Sequence, residues 1–272
     1  MFEEILWGLG ASSISIDTEN KTITAVFDNP DHDKIIKTAG KTPVSAEVLE
    51  EDDWKNLWFE KYSGVKIENF HILPFTLKNT DSVPDDTENG IPVYLDPRES
   101  FGSGEHPSTI LAIRLFHSIL KKYGSEFSKS KNKILDIGTG SGILSIIAEK
   151  SGADSIYAVD TDENACRKAE YNFQINNCRN IRLLNIEIQN FIPDFKFDII
   201  FSNILCELHE KIIHQYLTLL SDTGYLIISG ITGKWSSHLF DLLSENGFSL
   251  IESASEAEWQ GGIFIKNRQN LS

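Results

Sequence analysis

The stretch KILDIGTGSGILSIIAEKSGADSIYAVD, residues 133–160, decides the fold of this chain. A short apolar run over 133–137 reads as a strand with Asp136 near its end. Gly138, Gly140 and Gly142 follow as a turn, a helical segment covers 143–151, and a second apolar run, 155–160, closes on Asp160. Such a strand–turn–helix–strand unit brings backbone close to a nucleoside. The spacing is GxGxG. The dinucleotide fingerprint is GxGxxG, and it aims a helix N-terminus at a pyrophosphate. A nucleoside without phosphate, such as S-adenosylmethionine, needs the close backbone approach but not that anion cradle. Asp160 lies about twenty residues beyond the turn, where a strand-end carboxylate can accept both ribose hydroxyls. Asp136 can orient the turn, or meet the cofactor amino group directly or through water. Glycines that serve only packing, and NAD binding, are the competing readings of this stretch.

Working outward, strands are expected at 133–137, 155–160, 181–186, 197–202 and 225–230. Helices are expected between them at 143–151, 162–176, 205–220 and 234–246, and before them at 107–123, where Pro107 suits a first turn. Gly152, Gly224 and Gly247 sit where helices end. Residues 248–255 and 259–266 form a last strand pair. The class is α/β: a doubly wound, mostly parallel seven-stranded sheet, with a small α+β domain at the N-terminus.

That N-terminal domain is placed at 1–75. It contains a helix at 2–9, a hairpin of 12–17 with 21–27, a helix at 31–39 and a strand at 43–49. Trp54, Trp58 and Phe59 lie at helical spacing and read as core or a domain seam. The polar run TLKNTDSVPDDTENG, 76–90, reads as a linker, and the larger domain spans 91–272.

The chain has 272 residues, with 40 Asp+Glu against 25 Lys+Arg and a net charge of −15. This balance argues against a nucleic-acid backbone as main partner and suits a basic protein partner or simple solubility. Cys166, Cys178 and Cys206 are scattered, with no CxxC pair, so neither a zinc site nor a disulfide framework is expected. His209 and His214 lie one residue too far apart for HExxH, so no metal is expected there either. The acidic opening MFEEILWGLG lacks a signal peptide's positive charge, and no run reaches membrane-spanning length. A cytoplasmic monomer is the expectation.

In an open α/β sheet the carboxyl ends of the strands line the ligand crevice. Asn203, just past the run FDIIFS, falls there. Its amide can accept a hydrogen bond from an amine, or it can cap the following helix. The segment YLDPRESFGSGEHPST, 94–109, carries its own glycine pair and feeds a helix. It reads either as a loop folding over a cofactor or as an interdomain turn.

Together these motifs resemble the ribosomal protein L11 methyltransferases, the PrmA family. The resemblance is carried by DPRESFGSGEHPST at 96–109, DIGTGSGIL at 136–144, Asp160, SNIL at 202–205 and EAEWQGGIFIK at 256–266. It extends to EDDWKNLWFEKYSGVKIENFHILP at 51–74. It implies S-adenosylmethionine as cofactor, contacted at Thr109, Gly138, Asp160 and Asn203, with Phe101 and Gly102 closing over the methionine portion. To these the glycine-turn reading adds Asp136 and Gly140. It implies transfer to lysine and N-terminal amines of a basic ribosomal protein, with Asn203 as the catalytic residue. Glu105 or His106 could relay the proton. The loop departs from the family at Arg98-Glu99-Ser100, and the N-terminal domain reads as shortened, without a first strand before Phe2. Another protein lysine or a small amine is the alternative acceptor.

Overall fold

The computed structural model describes residues 6, 9, 11, 13–17, 22–26, 31–39, 43, 64–75, 90–96, 104–124, 127 and 132–267. Contacts divide the chain into two units: Met1–Tyr62 with Pro97–Phe101, and Ser63–Asp96 with Gly102–Ser272.

In the first unit, β1 (Ser13–Asp17) and β2 (Thr22–Val26) form an antiparallel hairpin in which Ser13 faces Val26. Helix α1 (His32–Ala39) follows, with Asp31 Oδ1 accepting from Lys34 N at 3.1 Å. The hairpin and this helix lie where the alternation and spacing put them. The expectations for 2–9, 43–49 and 51–62 fall largely or wholly outside the described residues.

The second unit begins with a small sheet that the sequence reading had not resolved. Strands β3 (Val65–Ile67) and β4 (Phe70–Pro74) pair antiparallel, and β5 (Ile91–Leu95) pairs parallel to β4. Residues 63–74 therefore belong with the larger unit, not with the N-terminal domain that was drawn to residue 75. The physical reason is burial: Ile67, Phe70, Ile72 and Val93 join the main core. The expected linker, 76–90, lies outside the described residues except for Gly90.

Next come α2 (Pro107–Tyr123), β6 (Lys133–Ile137), α3 (Ile143–Lys150), β7 (Ser155–Asp160), α4 (Glu163–Ile175) and β8 (Ile181–Asn185). They are followed by β9 (Phe197–Asn203), α5 (Cys206–Lys211), α6 (Ile213–Leu219), β10 (Leu220–Thr232), α7 (Gly233–Glu245), β11 (Phe248–Glu256) and β12 (Trp259–Lys266). The seven strands β6–β12 form one sheet in the order β11-β12-β10-β9-β6-β7-β8. Five are parallel, and the terminal hairpin adds antiparallel at the β10 edge. This is the doubly wound, mostly parallel seven-stranded sheet expected.

Alternation along the strands feeds two cores. Ile134, Phe201 and Ile227 face one side, with Leu111, Phe116 and Ile146. Leu135, Ile200, Leu226 and Ile228 face the other, with Tyr216, Leu239 and Leu243. One expected helix, 205–220, is two: the backbone breaks at Ile212 (φ −116°), and β10 starts at Leu220 rather than 225. Among the described residues no helix is long and apolar enough to cross a membrane.

Candidate active site

Strand order locates the site. The chain runs outward from β6 to β7 and β8, then returns to place β9 on the other side of β6. Helix α3 after β6 packs into one core, and the helices after β9 pack into the other. A crevice opens at such a switch point, at the carboxyl ends of the strands. Here it lies between the turn after β6 and Asn203 at the end of β9.

The turn is held to β7 by Gly138 N and Thr139 N, which both donate to Val159 O at 2.9 and 3.1 Å. Its three glycines have φ of +70°, +54° and +80°. They are not equivalent. A Cβ at Gly138 would lie 2.5 Å from Ile204 Cγ2, and one at Gly142 would lie 2.4 Å from Phe173 Cε1. A Cβ at Gly140 would meet nothing within 4 Å. Packing accounts for the outer two glycines; the middle one presents bare backbone to open space.

Asp136 is buried behind the turn. Its Oδ2 accepts from Thr139 Oγ1 and from Ser145 Oγ, each at 2.7 Å. Burial raises its pKa to about 6, against the pull of those two hydroxyls. Of the two roles open to Asp136, these bonds are those of orienting the turn. Asp160 is half-buried at the end of β7. Its Oδ2 accepts from Gly140 N at 2.9 Å and its Oδ1 from Asp162 N at 3.0 Å. A carboxylate has about four acceptor positions, so two backbone donors leave capacity for two hydroxyls.

Across the crevice, Asn203 Nδ2 donates to Thr109 Oγ1 at 3.4 Å. Asn203 does not cap the next helix, whose N-cap is Leu205. Its Oδ1 lies over Gly230, where a Cβ would come within 2.9 Å of it. Gly230, on β10 at φ +84°, is a site residue that the sequence reading missed. Phe101 and Gly102 lie outside the described residues. His106 caps α2: its Nδ1 lies 2.8 Å from Ser108 Oγ and accepts from Ser108 N, and its ring packs edge-on to Trp259. Burial lowers the His106 pKa and the Glu258 carboxylate raises it, with burial the larger effect.

A further connection was not read from the sequence. Asn172 on α4, buried, donates to Ser141 O at 2.8 Å and accepts from Asp96 N at 2.9 Å. One amide thus joins the glycine turn to the start of the 96–109 segment. One turn on, Asn176 brackets Tyr94, accepting from its N at 2.9 Å and donating to its O at 2.5 Å.

A family model described as ribosomal protein L11 methyltransferase (PrmA) matches residues 3–267. The chain belongs to this family. A ribosomal protein L11 methyltransferase of Dictyoglomus turgidum is 31% identical over 268 residues, 94% of this chain and 84% of that protein. One from Bacillus subtilis is 32% identical over 223 residues, 81% of this chain and 67% of that protein. One from Macrococcus caseolyticus is 32% identical over 217 residues, and that match spans 66% of its length. The crystal structure of a ribosomal protein L11 methylase from Lactobacillus delbrueckii superposes with a TM-score of 0.66 at 28% identity. The match covers 76% of this chain and all of that one. S-adenosylmethionine-dependent methyl transfer is the reaction of this PrmA family.

Proposed function

We propose that this PrmA-family chain transfers methyl groups from S-adenosylmethionine to lysine side chains and the N-terminal amine of ribosomal protein L11, in the cytoplasm and as a monomer. The observation that carries this reading is the convergence, on one switch-point crevice, of the Gly140–Asp160 wall and the Asn203–Thr109 wall.

The residues present fit the cofactor. The open side of Gly140 and the remaining acceptor positions of Asp160 suit a ribose, and Gly138 lines the same turn. Thr109 and Asn203 suit the far end, with Phe101 and Gly102 assigned there from the family motif. Asp136 acts by holding the turn. Bound there, S-adenosylmethionine supplies an electrophilic methyl on a sulfonium.

The protein's task is then orientation of a neutral amine. A lysine in water has a pKa of about 10.4, so the attacking form is scarce at neutral pH, and partial burial in the crevice favours it. Asn203 Oδ1 is the acceptor that aims the amine lone pair at the methyl. The proton leaves to water before attack, so no dedicated base is required, and His106 keeps its capping bonds.

The test is incubation with methyl-labelled cofactor and purified L11, read by mass spectrometry. Wild type labels L11, and Asn203→Ala loses labelling by at least about a hundredfold while remaining folded. Label on other proteins or small amines but not on L11 would move the assignment to another acceptor.

A further inference from the structure

Beneath Asn203, on the face of the sheet opposite Thr109, three side chains form one hydrogen-bonded chain. Ser202 Oγ lies 2.7 Å from Tyr216 Oη, and Tyr216 Oη lies 2.8 Å from His209 Nδ1. His209 Nε2 lies 3.1 Å from Ser229 O. Ser202, His209, Tyr216 and Ser229 are each at most 1% exposed.

The protons in this chain run in one direction. A carbonyl oxygen only accepts, so His209 Nε2 carries the ring proton and donates it to Ser229 O. Nδ1 is then a lone pair, which accepts from the Tyr216 hydroxyl. The tyrosine oxygen in turn accepts from Ser202 Oγ. This arrangement satisfies both ring nitrogens of His209 and the Tyr216 hydroxyl at once, and the Ser229 carbonyl, not its buried hydroxyl, closes the chain.

Its two ends define what it does. Ser202 immediately precedes Asn203 on β9. Ser229 is the register partner of Asn203 on β10, and that pair is the last one the two strands make. Ser229 is followed by Gly230, over which the Asn203 Oδ1 lies. Beyond this last rung β9 and β10 make no further ladder with each other, while β10 stays paired to β12 at Ile231 and Thr232. On the other face, among the described residues, Asn203 makes the long, 3.4 Å bond to Thr109. The break at Ile212 puts His209 and Tyr216 on separate short helices, so each reaches the chain from its own segment.

We infer that His209, through Tyr216 and Ser202, is a positioning residue that ties the ends of β9 and β10 together and so sets where Asn203 presents its amide. This rests on the assignment of Asn203 as the residue that orients the acceptor amine. The chain touches neither cofactor nor acceptor, so its removal must appear in turnover and not in cofactor affinity.

The experiment uses the full chain with L11 as acceptor, comparing Tyr216→Phe, Ser202→Ala, His209→Gln and Asn203→Ala. Measured are kcat, the Kd of S-adenosylmethionine by calorimetry, and the folded fraction by circular dichroism. Tyr216→Phe and Ser202→Ala are expected to lower kcat per folded molecule by about tenfold or more, with cofactor Kd unchanged within about twofold. His209→Gln keeps a donor for Ser229 O and an acceptor for Tyr216 and is expected to retain most of the turnover. An inactive Asn203→Ala beside Tyr216→Phe and Ser202→Ala of wild-type kcat overturns the inference alone. An Asn203→Ala of wild-type kcat overturns the assignment of Asn203, and the inference with it.

Discussion

Two buried ionisable side chains give this protein opposing pH dependences. Burial raises the Asp136 carboxyl to about 6 from an ordinary 3.8. Between about pH 4 and 6 the folded chain therefore holds a proton that the unfolded chain has released, so stability falls as pH rises through that window. The loss is about 3 kcal/mol at 1.36 kcal/mol per pH unit. Burial lowers His209 from 6.5 to about 4, so its contribution is present above pH 6.5 and is lost as pH falls towards 4. Over the shared window the two slopes largely cancel in the wild type. Asp136→Asn keeps an oxygen for Thr139 and Ser145 but has no charge to bury. It is expected to be more stable than wild type at pH 7 by about 2–3 kcal/mol and equal to it near pH 4. Urea midpoints at pH 4, 5, 6 and 7 read this directly, and a variant offset independent of pH would refute it. Asp160→Ala acts on binding instead. It removes a charged acceptor, worth about 1.5–3 kcal/mol per hydrogen bond, so the Kd of S-adenosylmethionine rises about ten- to a hundredfold in calorimetry.

At the scale of the element, the glycine turn separates folding from binding. Gly142→Ala puts a methyl into Phe173 at a φ of +80°, and it is expected to lower the unliganded melting temperature by several degrees, from about 2–3 kcal/mol of strain and overpacking. Gly140→Ala has only its φ of +54° to contend with, about 1–2 kcal/mol, but its methyl projects to the open side. It is expected to lose most of the rise in melting temperature that the cofactor brings. Full retention of that rise would mean the cofactor does not approach Gly140. The turn itself was legible because GxGxG, a preceding acid and a strand-terminal acid have a fixed order and spacing. Other features left no such trace. The β3–β4 hairpin turns through Glu68 at φ +54°, a residue type that seldom marks a turn. The break at Ile212 carries no glycine or proline. Asn172 is buried and Gln174 beside it is exposed, yet local composition does not distinguish them. Which polar side chain turns inward is decided by its partners, here Asp96 N just past β5 and Ser141 O, which lie far away in sequence.

On the scale of the molecule, the doubly wound, mostly parallel class of the sheet was readable because each strand–helix alternation demands a crossover, and crossovers share one hand. Where Ser63–Asp96 belongs was not, since that depends on which core its apolar residues join. Net charge acts at this scale too. At −15 the protein repels anions and draws cations at distances set by the Debye length, about 10 Å at 0.1 M salt. A cationic protein acceptor gains encounter rate from that field, while a small cofactor held by local hydrogen bonds gains far less. Raising salt from about 0.05 to 0.5 M shortens the screening length about threefold. It should therefore raise the KM for L11 severalfold and leave the Kd of S-adenosylmethionine within about twofold. Initial rates across that salt range, paired with calorimetry on the same samples, measure both. If the two constants move together, the net charge serves solubility and the acceptor is recognised by short-range contacts alone.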